Sequence, residues 1–122
     1  MKREKIEEYY RTYATENLEA VSPFYSDDVI FEFKGETYTG KEAVFGWFRE
    51  LQKSFHELIR PFNILVDGDK VAIEIESEFT ARVDMPDFHG ASLKSGDKIK
   101  MKFAAFYDTR NDQFCHIRLY PA

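Results

Sequence analysis

The chain has 122 residues and a net charge of −5, which argues against nucleic acid as a partner, because a nucleic-acid-binding face needs concentrated basic side chains. Its one cysteine, Cys115, rules out an internal disulfide and is typical of a reducing, cytoplasmic compartment. The charged start and the lack of a long apolar run argue against a leader and a membrane partner, so we expect one soluble domain over residues 1–122.

Helical spacing predicts two helices at the start of the chain. The apolar residues of the first helix, predicted over residues 3–16, are Ile6, Tyr9, Tyr10 and Tyr13. Asn17 is a favourable N-cap for a second helix over residues 18–25. Proline is tolerated only in the first turn of a helix, so this second helix either restarts or kinks at Pro23.

A strand and a third helix come next. Residues 29–33 follow the turn Ser26-Asp27-Asp28 and are rich in β-branched and aromatic side chains, which predicts a strand. Thr39 and Glu42 have the spacing of a capping box, so we expect them to begin the third helix. Its apolar face consists of Val44, Trp47, Phe48, Leu51 and Phe55.

The second half of the chain predicts a sheet. Strands are expected over residues 57–66, 70–83, 98–107 and 114–120. Helices followed by an antiparallel sheet indicate the α+β class. A long twisted sheet tends to curl around helices packed on one face, and the enclosed space is where we expect a ligand.

Two of these strands carry charged rows of opposite sign. Alternation is the mark of a strand with one row in the core and one in water. Opposite charges across a strand pair favour the register that aligns them. The predicted pairs are Glu78 with Lys98, Glu76 with Lys100, and Glu74 with Lys102.

The hairpin before these rows predicts one polar pair in the interior. With Val66 opposite Val71, alternation places Arg60 opposite Ser77 on the inward row, next to Phe62. A buried arginine needs a carboxylate or phenolate partner, so Arg60 is a candidate functional residue. The alternative is that only its stem is buried and its head reaches the sheet edge.

Aromatic side chains are abundant, with 12 phenylalanines and 7 tyrosines. They either line a cavity or pack a filled core. If a cavity is present, its predicted ligand-binding walls are Tyr13, Phe31, Phe33, Trp47, Phe62, Ser77 and Phe103.

The outward row of the sheet ends in apolar residues. They are Ala72, Ala104, Phe106 and Phe114. Contiguous exposed apolar surface marks interfaces, so we expect a homodimer through this face; the alternative is that a chain terminus covers it.

One loop gathers the polar residues Asp84, Asp87 and His89. Such a trio either binds a cation, covers the cavity or is simply solvated. The sequence has no phosphate-binding loop, dinucleotide glycine pattern or zinc spacing, so we expect no metal and no cofactor.

Short motifs in a fixed order resemble the SnoaL-like members of the nuclear-transport-factor-2-like superfamily. They are Asn17-Leu18-Glu19-Ala20, Phe24-Tyr25-Ser26-Asp27-Asp28-Val29, Tyr38-Thr39-Gly40-Lys41-Glu42-Ala43 and His116-Ile117-Arg118-Leu119-Tyr120. The resemblance implies a cone-shaped, cystatin-like fold, in which a curved sheet and three helices enclose a hydrophobic pocket. It also implies a dimer formed through the outer sheet face.

The catalytic positions of ketosteroid isomerases, which belong to this superfamily, are mostly replaced. By resemblance, the donor tyrosine falls at Tyr9, but the base falls at Phe33 and the protonated aspartate near Met101 or Phe103. A phenylalanine or methionine side chain transfers no proton, so we expect no typical ketosteroid isomerase activity.

SnoaL-like cyclases often carry an inward histidine on the long strand and an aspartate at the second helix. Here these places hold Ala81 and Asn17, so the familiar acid–base pair is missing. Arg60, Tyr9 and Tyr107 remain as candidates to polarise an oxygen atom.

Two functions are therefore compatible with the sequence. The first is a pocket for a small apolar, aromatic or polyketide-like molecule, with or without cofactor-free cyclase, isomerase or dehydratase activity. The alternative is a non-catalytic ligand-binding or dimerisation module of the same fold. A cavity of a few hundred cubic ångströms would favour the first.

Overall fold

The computed structural model describes residues 1–88 and 90–122, which form three α-helices, one 3₁₀ turn and eight strands. The helices are α1 (Arg3–Tyr13), α2 (Leu18–Val21) and α3 (Lys41–Ser54), and the 3₁₀ turn covers Ser22–Phe24. The strands are β1 (Tyr25–Phe33), β2 (Glu36–Thr39), β3 (Phe55–Asp67), β4 (Lys70–Ala81), β5 (Met85–Phe88), β6 (Ala91–Leu93), β7 (Lys98–Arg110) and β8 (Gln113–Pro121).

Six strands form one curved sheet in the order β2-β1-β8-β7-β4-β3. Neighbouring strands are antiparallel except for β1 and β8, which run parallel. The predicted α+β class is confirmed, although the sheet is mostly rather than wholly antiparallel. β5 and β6 form a separate hairpin. These two strands and β2 are too short for alternation to reveal, and the sequence does not predict them.

The helix ends show which capping signals operate. Asn17 caps α2 as predicted, because its side-chain oxygen accepts a hydrogen bond from the backbone N–H of Ala20 at 3.2 Å. The chain then restarts in the 3₁₀ turn, with Pro23 in its first turn. The predicted Thr39 capping box is wrong. Gly40 is the N-cap of α3 with φ of 91°, and Thr39 belongs to β2.

The charged rows of β4 and β7 face outward as predicted, but their register differs by two residues. Glu78 lies opposite Lys100 and Glu76 opposite Lys102. A shift of two keeps every side chain on its own face. It also keeps Lys98 near Glu78, at 3.5 Å between Nζ and Oε1. Long charged side chains reach diagonal as well as direct partners, so charge pairing alone does not select between these registers.

A bulge in β3 reverses the predicted alternation of its first half. The register shifts after Pro61, whose missing N–H prevents it from donating to the strand ladder, and Phe62 is the extra residue. Arg60 therefore lies opposite Glu76 on the outer face rather than opposite Ser77 on the inner face. The prediction of an inward Arg60 is wrong.

A second bulge, in β8, moves one residue of the predicted dimer patch to the interior. Asp108 of β7 pairs with His116, but the next residue, Thr109, pairs with Phe114, so Cys115 is the extra residue. Phe114 has no exposed surface as a result. Its assignment to the outer face is wrong.

The helices pack on the inner face of the sheet. α1 contacts β3, and α3 contacts β1, β2 and β3. Fully buried side chains from helices and sheet, among them Ile6, Val44 and Ala105, belong to one apolar core. No helix in the described part of the chain has the length and apolar composition needed to span a bilayer.

Candidate functional site

A cavity of about 200 Å³ lies between α1, α3 and the inner face of the sheet. Thirteen of its twenty-one lining residues in the described ranges are aromatic, and only Glu57 and Lys34 carry a charged group. Lys34 is exposed at the rim, where its Nζ lies 5.3 Å from the ring centroid of Phe33. The walls therefore suit a ligand that is mainly apolar.

Most of the predicted walls line this cavity. They are Tyr13, Phe31, Phe33, Trp47 and Phe103. Phe62 does not, because the bulge in β3 turns it outward and leaves it 52% exposed. Ser77 lies on the inner row and is completely buried, but it does not reach the cavity surface.

The three candidate polar residues separate into two groups. Tyr9 and Tyr107 line the cavity. Arg60 does not: its side chain is 72% exposed, and its guanidinium donates to Glu76 at 2.6 Å. A role for Arg60 inside the cavity is thus contradicted by the bulge that turns it toward solvent.

Ile59 takes the place opposite Ser77 that alternation predicts for Arg60, and the charged residue on the inward row is Glu57. It lies opposite Phe79, and its Oε1 accepts a hydrogen bond from the Tyr13 hydroxyl at 3.1 Å. Burial raises the pKa of Glu57 above its usual value, while the Ser77 and Tyr13 hydroxyls and the charge of His56 partly oppose that rise. The Ser77 hydroxyl is near the carboxylate but does not form a well-aligned hydrogen bond with it.

Strict alternation misses Glu57. With Val66 facing inward, it assigns even-numbered positions of the strand to the interior and Glu57 to the exterior. Pro61 is the available signal, because a proline within a strand is typical of bulges and edges. A bulge at that proline exchanges the two rows of the preceding residues.

Four buried tyrosines of the cavity form two hydroxyl pairs. Tyr9 pairs with Tyr25, and Tyr10 pairs with Tyr107 at 3.0 Å. Burial raises the pKa of all four, that of Tyr107 to about 12, so they are neutral at physiological pH. Since one hydrogen bond uses one of the two protons in each pair, the second proton can be donated to a ligand oxygen.

Beside Glu57 along the chain, His56 belongs to a polar cluster that joins three elements. The Glu16 carboxylate, after α1, accepts hydrogen bonds from His56 at the start of β3 and from Arg82 after β4. Burial opposes ionisation of Glu16, but these two bonds and charges hold its pKa below its usual value. The backbone N–H of Arg82 also donates to Ser54 at 2.8 Å.

The loop after β4 contributes to the cavity mainly through the β5–β6 hairpin. Phe88 lines the cavity, with its ring 5.2 Å from that of Phe55. Asp84 accepts a hydrogen bond from the backbone N–H of Ser95 at 2.8 Å. The predicted grouping of Asp84, Asp87 and His89 rests on His89, which lies outside the described residues.

The outer sheet face retains an apolar area without Phe114. Phe106 is 41% exposed, and its ring lies 5.9 Å from that of Tyr120. Ala72 lies opposite Phe106, and Ala104 is two residues away on the same face. Three of the four predicted patch residues therefore remain together on the outer face.

One family model and several solved structures are similar to this chain. The family model of the SnoaL-like domain matches residues 6–117 of this chain. The chain belongs to this SnoaL-like family. No curated protein matches it.

Solved structures share the fold at low sequence identity. One from Xanthomonas campestris, named polyketide cyclase, has a TM-score of 0.81 and 19% identity, covering 94% of this chain and 85% of that one. An NTF2-like protein from Burkholderia pseudomallei has a TM-score of 0.78 and 15% identity, with coverages of 98% and 88%. An LEH-like epoxide hydrolase from M. tuberculosis has a TM-score of 0.75 and 14% identity, with coverages of 96% and 79%. The fold of this SnoaL-like chain is thus the one that the NTF2-like protein also has.

Proposed function

We propose that this SnoaL-like protein binds a small apolar molecule with an aromatic or polyketide-like body. The observation that carries the proposal is the cavity of about 200 Å³ between the helices and the sheet, with its predominantly aromatic walls. A filled core would favour the dimerisation module instead. The names of the structural neighbours, polyketide cyclase and epoxide hydrolase, are consistent with a small-molecule ligand.

The single tryptophan makes binding directly measurable. Trp47 lines the cavity, so a ligand that enters should change its fluorescence and, by stabilising the folded state, raise Tm. We expect both signals with compounds from a set of small planar apolar molecules. If no compound of the set both changes the fluorescence of Trp47 and raises Tm, the proposal is overturned.

Two neighbouring residues of β3 supply a matched pair of variants. Ile59 lines the cavity, whereas Leu58 is 50% exposed on the outer face. Ile59→Phe should fill the cavity and weaken binding, and Leu58→Phe should leave it unchanged. Equal effects of the two substitutions would place the ligand elsewhere.

A second candidate function is a cofactor-free isomerase, cyclase or dehydratase. It is favoured by the pair formed by Glu57 and Tyr13 within apolar walls, because a carboxyl group with a raised pKa is suited to proton transfer near neutral pH. Tyr9 and Tyr107 would polarise a substrate oxygen. Glu57→Gln should abolish turnover of any substrate found while leaving its binding measurable; a variant with undiminished turnover would exclude this role.

We also propose a homodimer through the outer face of the sheet. Phe106 and Tyr120 expose apolar rings there, next to an acidic row on β4 and a basic row on β7. A second copy related by a two-fold axis can match each row with its opposite. Light scattering after gel filtration should give the dimer mass for the wild type and the monomer mass for Phe106→Glu. Val83→Glu, at an exposed position after β4, is the control.

A further inference from the structure

The carboxylate of Glu57 forms no ion pair within the described part of the chain. Among residues 1–88 and 90–122, its one well-formed side-chain hydrogen bond comes from the neutral Tyr13 hydroxyl. Part of its surface faces the cavity. Burying an ionised carboxylate away from water costs free energy unless an opposite charge compensates it. A cation bound in the cavity would therefore stabilise the ionised form of Glu57.

The walls around this carboxylate also favour positive charge. Tyr13 binds Glu57 directly, Phe79 lies opposite it, and Phe55 precedes it by two residues on the same face. The rings of Phe55 and Phe79 are 5.5 Å apart in an edge-to-face arrangement. The faces of aromatic rings attract ammonium groups, and the attraction increases when the cation is removed from water.

We propose that the cavity binds an apolar amine, a small aromatic or alkyl body carrying a tertiary or quaternary ammonium group that pairs with Glu57. This rests on the proposed binding function, because the ligand occupies the same cavity. The charge of −5 on the chain attracts cations over a longer range. At the rim, Lys34 already lies against Phe33 in a cation–π contact, which is the geometry that the ligand would repeat inside.

Binding of the cation depends on pH in a defined direction. Glu57 interacts electrostatically with several titratable groups around it. They are Tyr9, Tyr10, Tyr13, Tyr107 and His56, and Lys34 adds a charge at the rim of the cavity. The tyrosines stay neutral because burial raises their pKa values. Protons compete with the ammonium group for the carboxylate, so affinity should fall as the pH falls through the titration of Glu57.

Two probes of the same shape separate charge from apolar contact. Phenyltrimethylammonium and tert-butylbenzene differ in the replacement of a charged nitrogen by carbon. We expect the wild type to bind the cation at least about tenfold more tightly than the neutral probe, measured by calorimetry and by Trp47 fluorescence. Glu57→Gln should remove this preference, so that the two probes bind with similar affinity. Glu78→Gln, an outward glutamate on β4, should retain it.

The outcomes distinguish the two proposals. If the wild type binds neither probe, the amine proposal is overturned, and the proposed binding function falls with it when the set of planar apolar molecules also gives no signal. If it binds tert-butylbenzene at least as tightly as the cation, or if Glu57→Gln keeps the preference, the amine proposal is overturned while the cavity function stands. In the wild type, lowering the pH must weaken binding of the cation alone; an equal loss for both probes would also contradict the role of Glu57.

Discussion

Replacing Glu57 by glutamine should stabilise the protein in a pH-dependent way. Glutamine keeps the shape of the side chain and can still accept the hydrogen bond from Tyr13, but it has no charge to bury. Burial raises the pKa of Glu57 above its usual 4.5, so the folded state of the wild type holds this proton to higher pH than the unfolded state does. The wild type therefore loses stability as the pH rises from about 4.5 to the folded pKa, and the loss is constant above it.

The size of the effect follows from the shift. Each unit by which folding raises the pKa of Glu57 corresponds to about 1.4 kcal/mol of unfolding free energy lost above the folded pKa. The unfolding free energy of Glu57→Gln minus that of the wild type should thus be small and constant in acid, rise with pH, and become constant again above the folded pKa. Urea unfolding at a series of pH values measures it.

Glu16 provides the control, because folding lowers its pKa rather than raising it. Hydrogen bonds from His56 and Arg82 lower the pKa of Glu16, despite its partial burial. Its contribution is present above its usual pKa and is lost as the pH falls through the lower, folded value. Glu16→Gln should therefore become relatively less stable as the pH rises. If the Glu57→Gln difference is flat, or falls with pH, the carboxylate is not desolvated and the reasoning about the cavity fails.

Three further predictions test which side chains face inward. Arg60→Ala should lower the unfolding free energy by less than about 1 kcal/mol in urea titrations, because its ion pair is exposed; a loss above 2 kcal/mol would contradict its outward position. Tyr107→Phe should lower the unfolding free energy by about 1–3 kcal/mol, because it leaves the Tyr10 hydroxyl unpaired. The double variant, with both Tyr10 and Tyr107 replaced by phenylalanine, should lose less unfolding free energy than the sum of the losses in the two single variants. Phe114→Ala should cost about 3–5 kcal/mol and Leu58→Ala far less, as judged by urea midpoints; comparable losses would refute the bulge at Cys115.

Alternation of side chains predicts the faces of β4 and β7 correctly but is insensitive to their alignment. A slip of two residues leaves Glu76 and Lys102 on the same outer face, so no change of burial opposes it. Most of the aromatic walls of the cavity also follow from the regular period of the elements that carry them. Phe103 and Trp47 each sit on a regular strand or helix, where period and face are tied together.

An irregularity within a strand defeats the same argument. One extra residue at Phe62 inverts every position before it, which removes Arg60 from the interior and hides Glu57 from a reading by alternation. One extra residue at Cys115 does the same for Phe114. Only the first has a signal in the sequence, Pro61, because proline alone among these residues lacks the backbone donor.

The bulge in β3 has an evolutionary consequence. Loss of a single codon at position 62 would restore regular pairing and rotate the preceding residues by half a turn, presenting Arg60 to the interior and Glu57 to the bulk solvent. A change in length would thereby invert the electrostatic preference of the chamber without any substitution. Relatives that differ by one amino acid in this strand are the natural place to look for selectivity toward anions.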